Sequence, residues 1–322
     1  MGGDYAPAEV VKGAMLVARE DAQTQIILVG DRDVLAEQLS ALGELPNNIV
    51  VHHASERIGM AEHPVTAVQE KRDSSLVIAG LMVKSGEADA TFSAGNTGAA
   101  MAFATLELGR VPGIKRPAIA TTLPTPHGRT LLLDAGANPD CTPQNLMQFA
   151  LLGSIYAEKA LGRTNPTVGL LNIGGEAGKG NELVKATYPL LQASGLNFVG
   201  NVEGNSVFEH AADVVVCDAF AGNVLLKSAE GIAELMLHTI QRDLAALADG
   251  EAKNVLAAVL RGLVARVDHE ETGGAPLLGI NGVSVIGHGR SYARGIASGI
   301  RLARDIARSG FVAALRAALP AG

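Results

Sequence analysis

Asp213-Val-Val-Val-Cys-Asp-Ala-Phe-Ala-Gly-Asn-Val-Leu-Leu-Lys227 decides the fold class of this chain. A short, wholly apolar run closes on a carboxylate, a Gly-Asn pair follows, and a helical pattern then begins that carries Lys227. A strand with no polar face is buried on both sides, and a strand feeding straight into a helix is the unit of a helix-covered sheet. The same reading extends in both directions. Gln25-Ile-Ile-Leu-Val-Gly-Asp31 is a second such run, and strand patterns recur at 49–53, 90–93, 118–123, 130–134, 167–171 and 198–200. Helical patterns lie between them at 7–20, 33–42, 98–108, 144–161 and 183–193, with one or two helices in 64–87. Alternation with short connections implies an α/β fold with a parallel, helix-covered sheet. No repeat, low-complexity tract or linker is visible, so 1–322 reads as one α/β unit, in one lobe or two.

From 224 to 267 the strand signal stops, leaving only helix broken at Asp249-Gly250, which reads as a helical hairpin. In its second arm Val255, Leu256, Val259, Leu260, Leu263, Val264 and Val267 make an apolar stripe, with Lys253, Arg261 and Arg266 off or beside it. The stripe suits packing on a neighbouring helix or subunit, or contact with a membrane surface.

Composition narrows the function. Aromatic residues are 3% of the chain, with no Trp, so stacking platforms for single-stranded nucleic acid are lacking, and the net charge of −7 gives no basic footprint. Nucleic acid is not an expected partner. Cys141 and Cys217 form no CxxC pair and no zinc-spaced cluster, so neither a metal nor another cofactor is expected. No run approaches the ~20 apolar residues of a membrane span, and the first 20 residues, holding Asp4, Glu9, Arg19 and Glu20, do not read as a signal peptide. A cytoplasmic protein is expected.

The strand-end loops hold more glycine and polar residues than connection requires, and that is where α/β sheets bind ligands. Ser93-Ala-Gly-Asn-Thr-Gly-Ala99 offers Gly95 and Gly98 for close approach of an anion, with Asn96 and Thr97 as donors at a helix start. A well-capped turn would look the same. Asp134 and Asn138 lie in the second loop. The third, Leu170-Leu-Asn-Ile-Gly-Gly-Glu-Ala-Gly-Lys-Gly-Asn-Glu182, sets Lys179 among glycines but lacks the Walker A spacing. The fourth is the opening stretch, with Asp218, Asn223 and Lys227; the fifth comprises two Gly-rich turns, 273–279 and 286–291, around a short strand, with His288 between two glycines. There is no GxSxG elbow. Anion-cradling loops without a nucleophile point to catalysis by positioning, with phosphate itself as attacker.

Taken in order, MGGDYAPAEVVKGA (1–14), SAGNTGA, LLDAGAN, LLNIGGEAGKGNE, GNVEGN (200–205), ADVVVCDAFAGNVLLKSAEG and GGAPLLGINGV with GHG resemble the PlsX family of phosphate acyltransferases from residue 1 to about 300. The resemblance implies an isocitrate/isopropylmalate dehydrogenase-like fold shared with phosphotransacetylases. It also implies transfer of a fatty acyl group from acyl carrier protein to inorganic phosphate, the acyl phosphate feeding a glycerol-3-phosphate acyltransferase in phospholipid synthesis. A homodimer is implied too, with the hairpin meeting the partner subunit near its base and a membrane near its tip. In the site so implied, Lys179 and Lys227 offset charge, Asn223 orients a reactant, and Asp218 or His288 manages a proton. Ser93, Gly95, Asn96, Thr97, Gly98, Asp134, Asn138, Asn181 and Asn201 bind substrate. Arg242, Lys253, Arg261 and Arg266 are the expected carrier-protein or membrane contacts. Alternatives are a coenzyme A-dependent phosphotransacetylase-like enzyme, a membrane scaffold, or an NAD-dependent dehydrogenase, the last lacking a GxGxxG fingerprint.

Two departures from the family pattern matter. The chain opens directly on MGGD, where the family usually has a short apolar strand first, so either the start lies upstream or the sheet lacks a strand, leaving backbone groups unpaired. Ala219 also stands where the family usually has Gly, and a left-handed backbone there would tolerate Ala poorly.

Overall fold

The computed structural model describes residues 1–246, 250–267 and 272–319. Among these residues ten strands form two sheets. β1 (Ile26–Gly30) and β2 (Ile49–His53) pair in parallel as a two-stranded sheet. β3 (Ala90–Ser93), β4 (Ala118–Thr125), β5 (Gly128–Leu133), β6 (Thr167–Asn172), β7 (Asn197–Glu203), β8 (Val214–Val216), β9 (Ala275–Leu278) and β10 (Val283–Ile286) form the other, in the order β3-β10-β9-β4-β5-β8-β6-β7. Most of its ladders are parallel, as the alternation implies, but β4 runs antiparallel to both β5 and β9, and β10 antiparallel to β9. The cause is loop length: Thr125 pairs with Gly128 across a two-residue turn, too short for a crossover helix. The Gly-rich 273–291 stretch likewise holds two strands, β9 and β10, rather than one.

The helices are α1 (Ala8–Glu20), α2 (Arg32–Ser40), α3 (Pro64–Glu70), α4 (Ser75–Ser85), α5 (Thr97–Phe103), α6 (Pro143–Lys159), α7 (Glu182–Gln192), α8 (Ala219–Ala245), α9 (Glu251–Val267), α10 (Ala293–Arg308) and α11 (Phe311–Ala318). Strand periodicity sorts them. Leu131 and Leu133 of β5 pack on one face with Phe149 and Leu152 of α6 and Leu315 of α11. The alternate residue, Leu132, packs on the other face with Leu225 and Leu226 of α8. On that same face Ile119 and Leu277 meet Ala99 and Phe103 of α5, and Leu226 packs against this cluster too. So α5 and α8 share one face of the sheet.

Ala219 needs no left-handed backbone. It opens α8 directly after the cap residue Asp218 and is absent from the positive-φ positions, so the substitution for Gly costs nothing there. Beyond its first turns α8 leaves the sheet and pairs with α9 as the expected hairpin. Leu260 is buried, but Val255, Leu256 and Val259 are each at least half exposed, as are Ile232, Leu235 and Met236 on α8. Among the described residues no helix is long and apolar enough to cross a membrane.

Candidate functional site

Three consecutive strand ends, those of β5, β8 and β6, build one side of the site. Asp134, fully buried just past β5, is the hub of its loop. Its Oδ1 accepts the backbone N–H of Ile119 (3.1 Å), Gly136 (3.0 Å) and Ala137 (2.9 Å). Its Oδ2 accepts the backbone N–H (2.9 Å) and the Nδ2–H (2.6 Å) of Asn138. Asn138 also donates to the Pro117 carbonyl at 2.7 Å, and its own carbonyl accepts the Ala219 N–H at 2.9 Å. A buried carboxylate with five donors holds a loop in one shape and has no lone pair to spare for substrate. Asp134 and Asn138 are therefore placed as framework for the start of α8. Gly222 completes the joint: a Cβ there would overlap the Asp134 carbonyl oxygen.

Asp218 caps α8, its Oδ1 accepting the Ala221 N–H at 2.9 Å. Asn223 and Lys227 follow on the exposed side of that helix, Lys227 paired with Glu230 at 2.7 Å. An exposed pair one turn apart on a helix contributes little, so an arriving anion competes for that ammonium easily. Next to this loop the β6 end carries Lys179. Asn172 donates to the Lys179 carbonyl (3.1 Å), and the Lys179 N–H bonds the Glu176 carbonyl (3.0 Å). Gly180, at φ 96°, turns the chain into α7, which Asn181 caps through the Val184 N–H. The Lys179 side chain is left exposed at the tip of a fixed loop. Asn201, on β7, donates to the Glu176 carbonyl at 2.8 Å, while its buried Oδ1 has no partner. Ile173, 82% exposed, sits on the same loop.

The loop 93–98 follows β3, the edge strand of the sheet. Because three antiparallel ladders intervene, β3 and β10 run opposite to β5, β6 and β8. Here Asn96 caps α5 through the Ala99 N–H (3.0 Å) and donates to the carbonyls of Gly59, Met60 and Glu62 at 3.1–3.2 Å. Thus Asn96 ties two loops together, while Thr97 is exposed and Ser93 half-buried, its Oγ accepting the Gly95 N–H. Gly98 lies against Pro64. His288 is exposed in the neighbouring loop after β10, its Nδ1 accepting the Arg290 N–H at 3.3 Å. The 93–98 and 134–138 loops border one apolar cluster on the face shared by α5 and α8, in which Ala99 and Ile58 pack with Ala135, Ala137 and Leu226.

Arg116 is the residue sequence reading passed over. It precedes β4, whose antiparallel course brings it to the β5 end, and its guanidinium lies 3.4 Å from Asn138 Oδ1. Its charge also reaches Cys141, as do those of Asp134 and Asp218. The signal was available only through the tight turn at 125–128, which fixes the direction of β4.

Neither thiol can serve as a nucleophile at neutral pH. Burial, with the carboxylates of Asp134 and Asp218 nearby, pushes Cys141 up to about 12, and burial pushes Cys217 well above the ordinary thiol range. Among the described residues no group of His, Cys, Asp and Glu could hold a metal ion. Arg242 is exposed and paired with Asp243 (2.9 Å), and Lys253 is half-buried; the Arg261 and Arg266 side chains lie outside what the structure describes.

The family model described as fatty acid synthesis protein matches residues 1–314. The chain belongs to this family. A phosphate acyltransferase of Desulfitobacterium hafniense is 50% identical over 99% of this chain and 96% of its own length. The phosphate acyltransferase of Desulforamulus reducens is 49% identical over 99% and 95%. Membership of the fatty acid synthesis protein family makes the chain an acyltransferase. A phosphotransacetylase from Streptococcus pyogenes has the same fold, with a TM-score of 0.66 at 16% identity, over 94% of this chain and 91% of its own.

Proposed function

We propose that this member of the family transfers a fatty acyl group from acyl carrier protein to inorganic phosphate. The product is an acyl phosphate, an activated donor for acylation of glycerol 3-phosphate in phospholipid synthesis. The observation that carries the reading is an exposed lysine on a glycine loop at the β6 end, in a protein whose two thiols are both pushed above the ordinary thiol range by burial. Such a site favours a nucleophile brought in from solution. A phosphate oxygen attacks the thioester carbonyl carbon, whose oxygen becomes an oxyanion; Lys179 and Lys227 face that charge. The C–S bond then breaks, and the carrier thiolate takes up the proton that phosphate gives. Asn223 orients a reactant, and Asp218 or His288 relays the proton. Thr97 and the amides of 95–98 bind the anion, and Asn201, whose amide holds the Glu176 carbonyl, supports the Lys179 loop at the substrate. The exposed apolar residues of α8 and α9 support a homodimer near the hairpin base and contact with a membrane surface near the tip.

The phosphotransacetylase fold keeps a second reading in play, with coenzyme A as the acyl carrier. Acyl carrier protein and coenzyme A thioesters, each assayed with and without phosphate, separate the two. Phosphate-dependent thiol release at least tenfold faster from the carrier protein supports our reading. Release preferring coenzyme A supports the second, and release that ignores phosphate removes both.

A further inference from the structure

Four segments remote in sequence meet around the loop 109–117: the loop itself, α6, the turn between β9 and β10, and α11. The Val111 N–H bonds the Gly279 carbonyl at 3.0 Å, and the Asn281 N–H bonds the Gly109 carbonyl at 2.8 Å. Gln148 of α6 holds the loop twice, accepting the Lys115 N–H at 2.9 Å and donating to the Gly113 carbonyl at 2.7 Å. From α11, Arg316 Nε donates to Asn281 Oδ1 at 3.0 Å, and Phe311 packs edge-on against Tyr156 of α6, ring centres 5.6 Å apart.

The charges of these segments share one sign. Residues 109–117, 141–157, 273–287 and 306–319 hold Arg110, Lys115, Arg116, Arg308 and Arg316 and no Asp or Glu, in a chain whose net charge is −7. Arg308 is spent on Asp21 at the end of α1, at 3.1 Å. The other four are exposed. The guanidinium groups of Arg110, Arg116 and Arg316 meet uncharged oxygens, of Lys115, Asn138 and Asn281, and among the described residues none of the four has an ion pair. Glu107, three residues ahead of Arg110, is committed to Arg72 (2.6 Å) and Lys84 (3.0 Å). Arg116 marks the border with the candidate site: it reaches Asn138, whose carbonyl holds the Ala219 N–H at the start of α8. Asp140 lies on that border too, its charge reaching Cys141 as that of Arg116 does.

We propose, resting on the acyl carrier protein reading above, that this acid-free face is where the acidic carrier protein docks. Arg110, Lys115 and Arg316 meet its carboxylates, and Arg116 stands where its acyl-bearing arm passes to the strand-end site. Opposite charge steers such an encounter and fixes its orientation. The hairpin suits an acidic protein less well, because Glu230 and Asp243 already pair with Lys227 and Arg242. A bilayer suits this face less well, because among the described residues none of its large apolar side chains is exposed for insertion.

The test sets a triple variant, Arg110→Glu with Lys115→Glu and Arg316→Glu, beside the parent and Arg242→Glu. Kinetics are measured over a range of salt with acyl-acyl carrier protein and with an acyl-pantetheine thioester, which carries no acidic protein. The triple variant should raise KM for the carrier protein about tenfold or more and flatten its salt dependence, with kcat and acyl-pantetheine turnover unchanged, whereas Arg242→Glu leaves that KM within about twofold. In the parent, which needs no variant to fold, added carrier protein should slow amide exchange at 109–117 and 279–282. A triple variant whose KM for the carrier protein matches the parent's overturns the proposal, and so does protection confined to the hairpin. Lost binding to anionic vesicles with that KM kept overturns it in favour of a membrane. A parent that turns over acyl-pantetheine but not acyl-acyl carrier protein overturns the carrier reading itself, a result distinct from the other three.

Discussion

Replacing Asp134 by Asn tests whether the loop after β5 is framework or substrate contact. Three N–H groups converge on one carboxylate oxygen and two donors on the other, both from Asn138. An amide can present its oxygen to only one of these sets. The smaller loss turns the new NH₂ towards Asn138, breaking two hydrogen bonds and setting donor against donor in a buried site. Hydrogen bonds to a charged acceptor contribute about 1.5–3 kcal/mol each, so Asp134→Asn costs about 3–6 kcal/mol of folding stability. That is a large share of the ~5–15 kcal/mol a folded domain possesses. Urea unfolding followed by circular dichroism measures it directly, the m-value checking that the unfolding unit is unchanged. Turnover falls too, because the start of α8 rests on this loop. A variant with normal stability, within about 1 kcal/mol of the parent, that has nonetheless lost turnover would refute the framework role and make Asp134 a substrate ligand.

The other predictions are more local. Lys179→Ala removes an exposed side chain and should leave the urea midpoint unchanged while lowering turnover roughly 10²- to 10³-fold, the usual cost of one oxyanion-stabilising group. Gly222→Ala forces a methyl group onto the Asp134 carbonyl, where neither backbone can give way; equilibrium unfolding should show a loss of about 3 kcal/mol or more. Cys141→Ala should retain turnover within about twofold, since a thiol pushed up to about 12 is not a nucleophile at pH 7–8. Mass spectrometry after iodoacetamide treatment at pH 8 should find Cys141 and Cys217 unmodified in the folded protein.

Much of this was legible in the sequence, for reasons that differ by element. The run 214–217 is apolar on both faces, so its burial in the sheet follows from residue type alone, and the Asp218 cap follows from the turn into α8. The hairpin was legible because forty residues of helical pattern hold no strand signal. Strand order and direction were not. β9 lies beside β4 and β10 beside β3 through pairings remote in sequence, and local pattern carries no record of such a partner. Only the short turns at 125–128 and 279–282 could have revealed the antiparallel β4–β5 and β9–β10 ladders. The role of Asp134 was hidden for a similar reason: a carboxylate at a strand end is visible, but five donors converging on it are a property of the folded loop. Asn96 is the same case, its amide committed to residues 59–62 rather than left for an anion.

The central claim is that phosphate attacks the thioester directly, without an acyl-enzyme. Mixing enzyme at substrate-level concentration with acyl-acyl carrier protein in phosphate-free buffer, then quenching within milliseconds, tests it in one measurement of free thiol and intact protein mass. Direct attack predicts no thiol release and no added acyl mass until phosphate is supplied, then one hydroxylamine-trappable acyl phosphate per thiol. A phosphate-independent burst of thiol, equal to the enzyme present and matched by an acyl adduct on the chain, would contradict it.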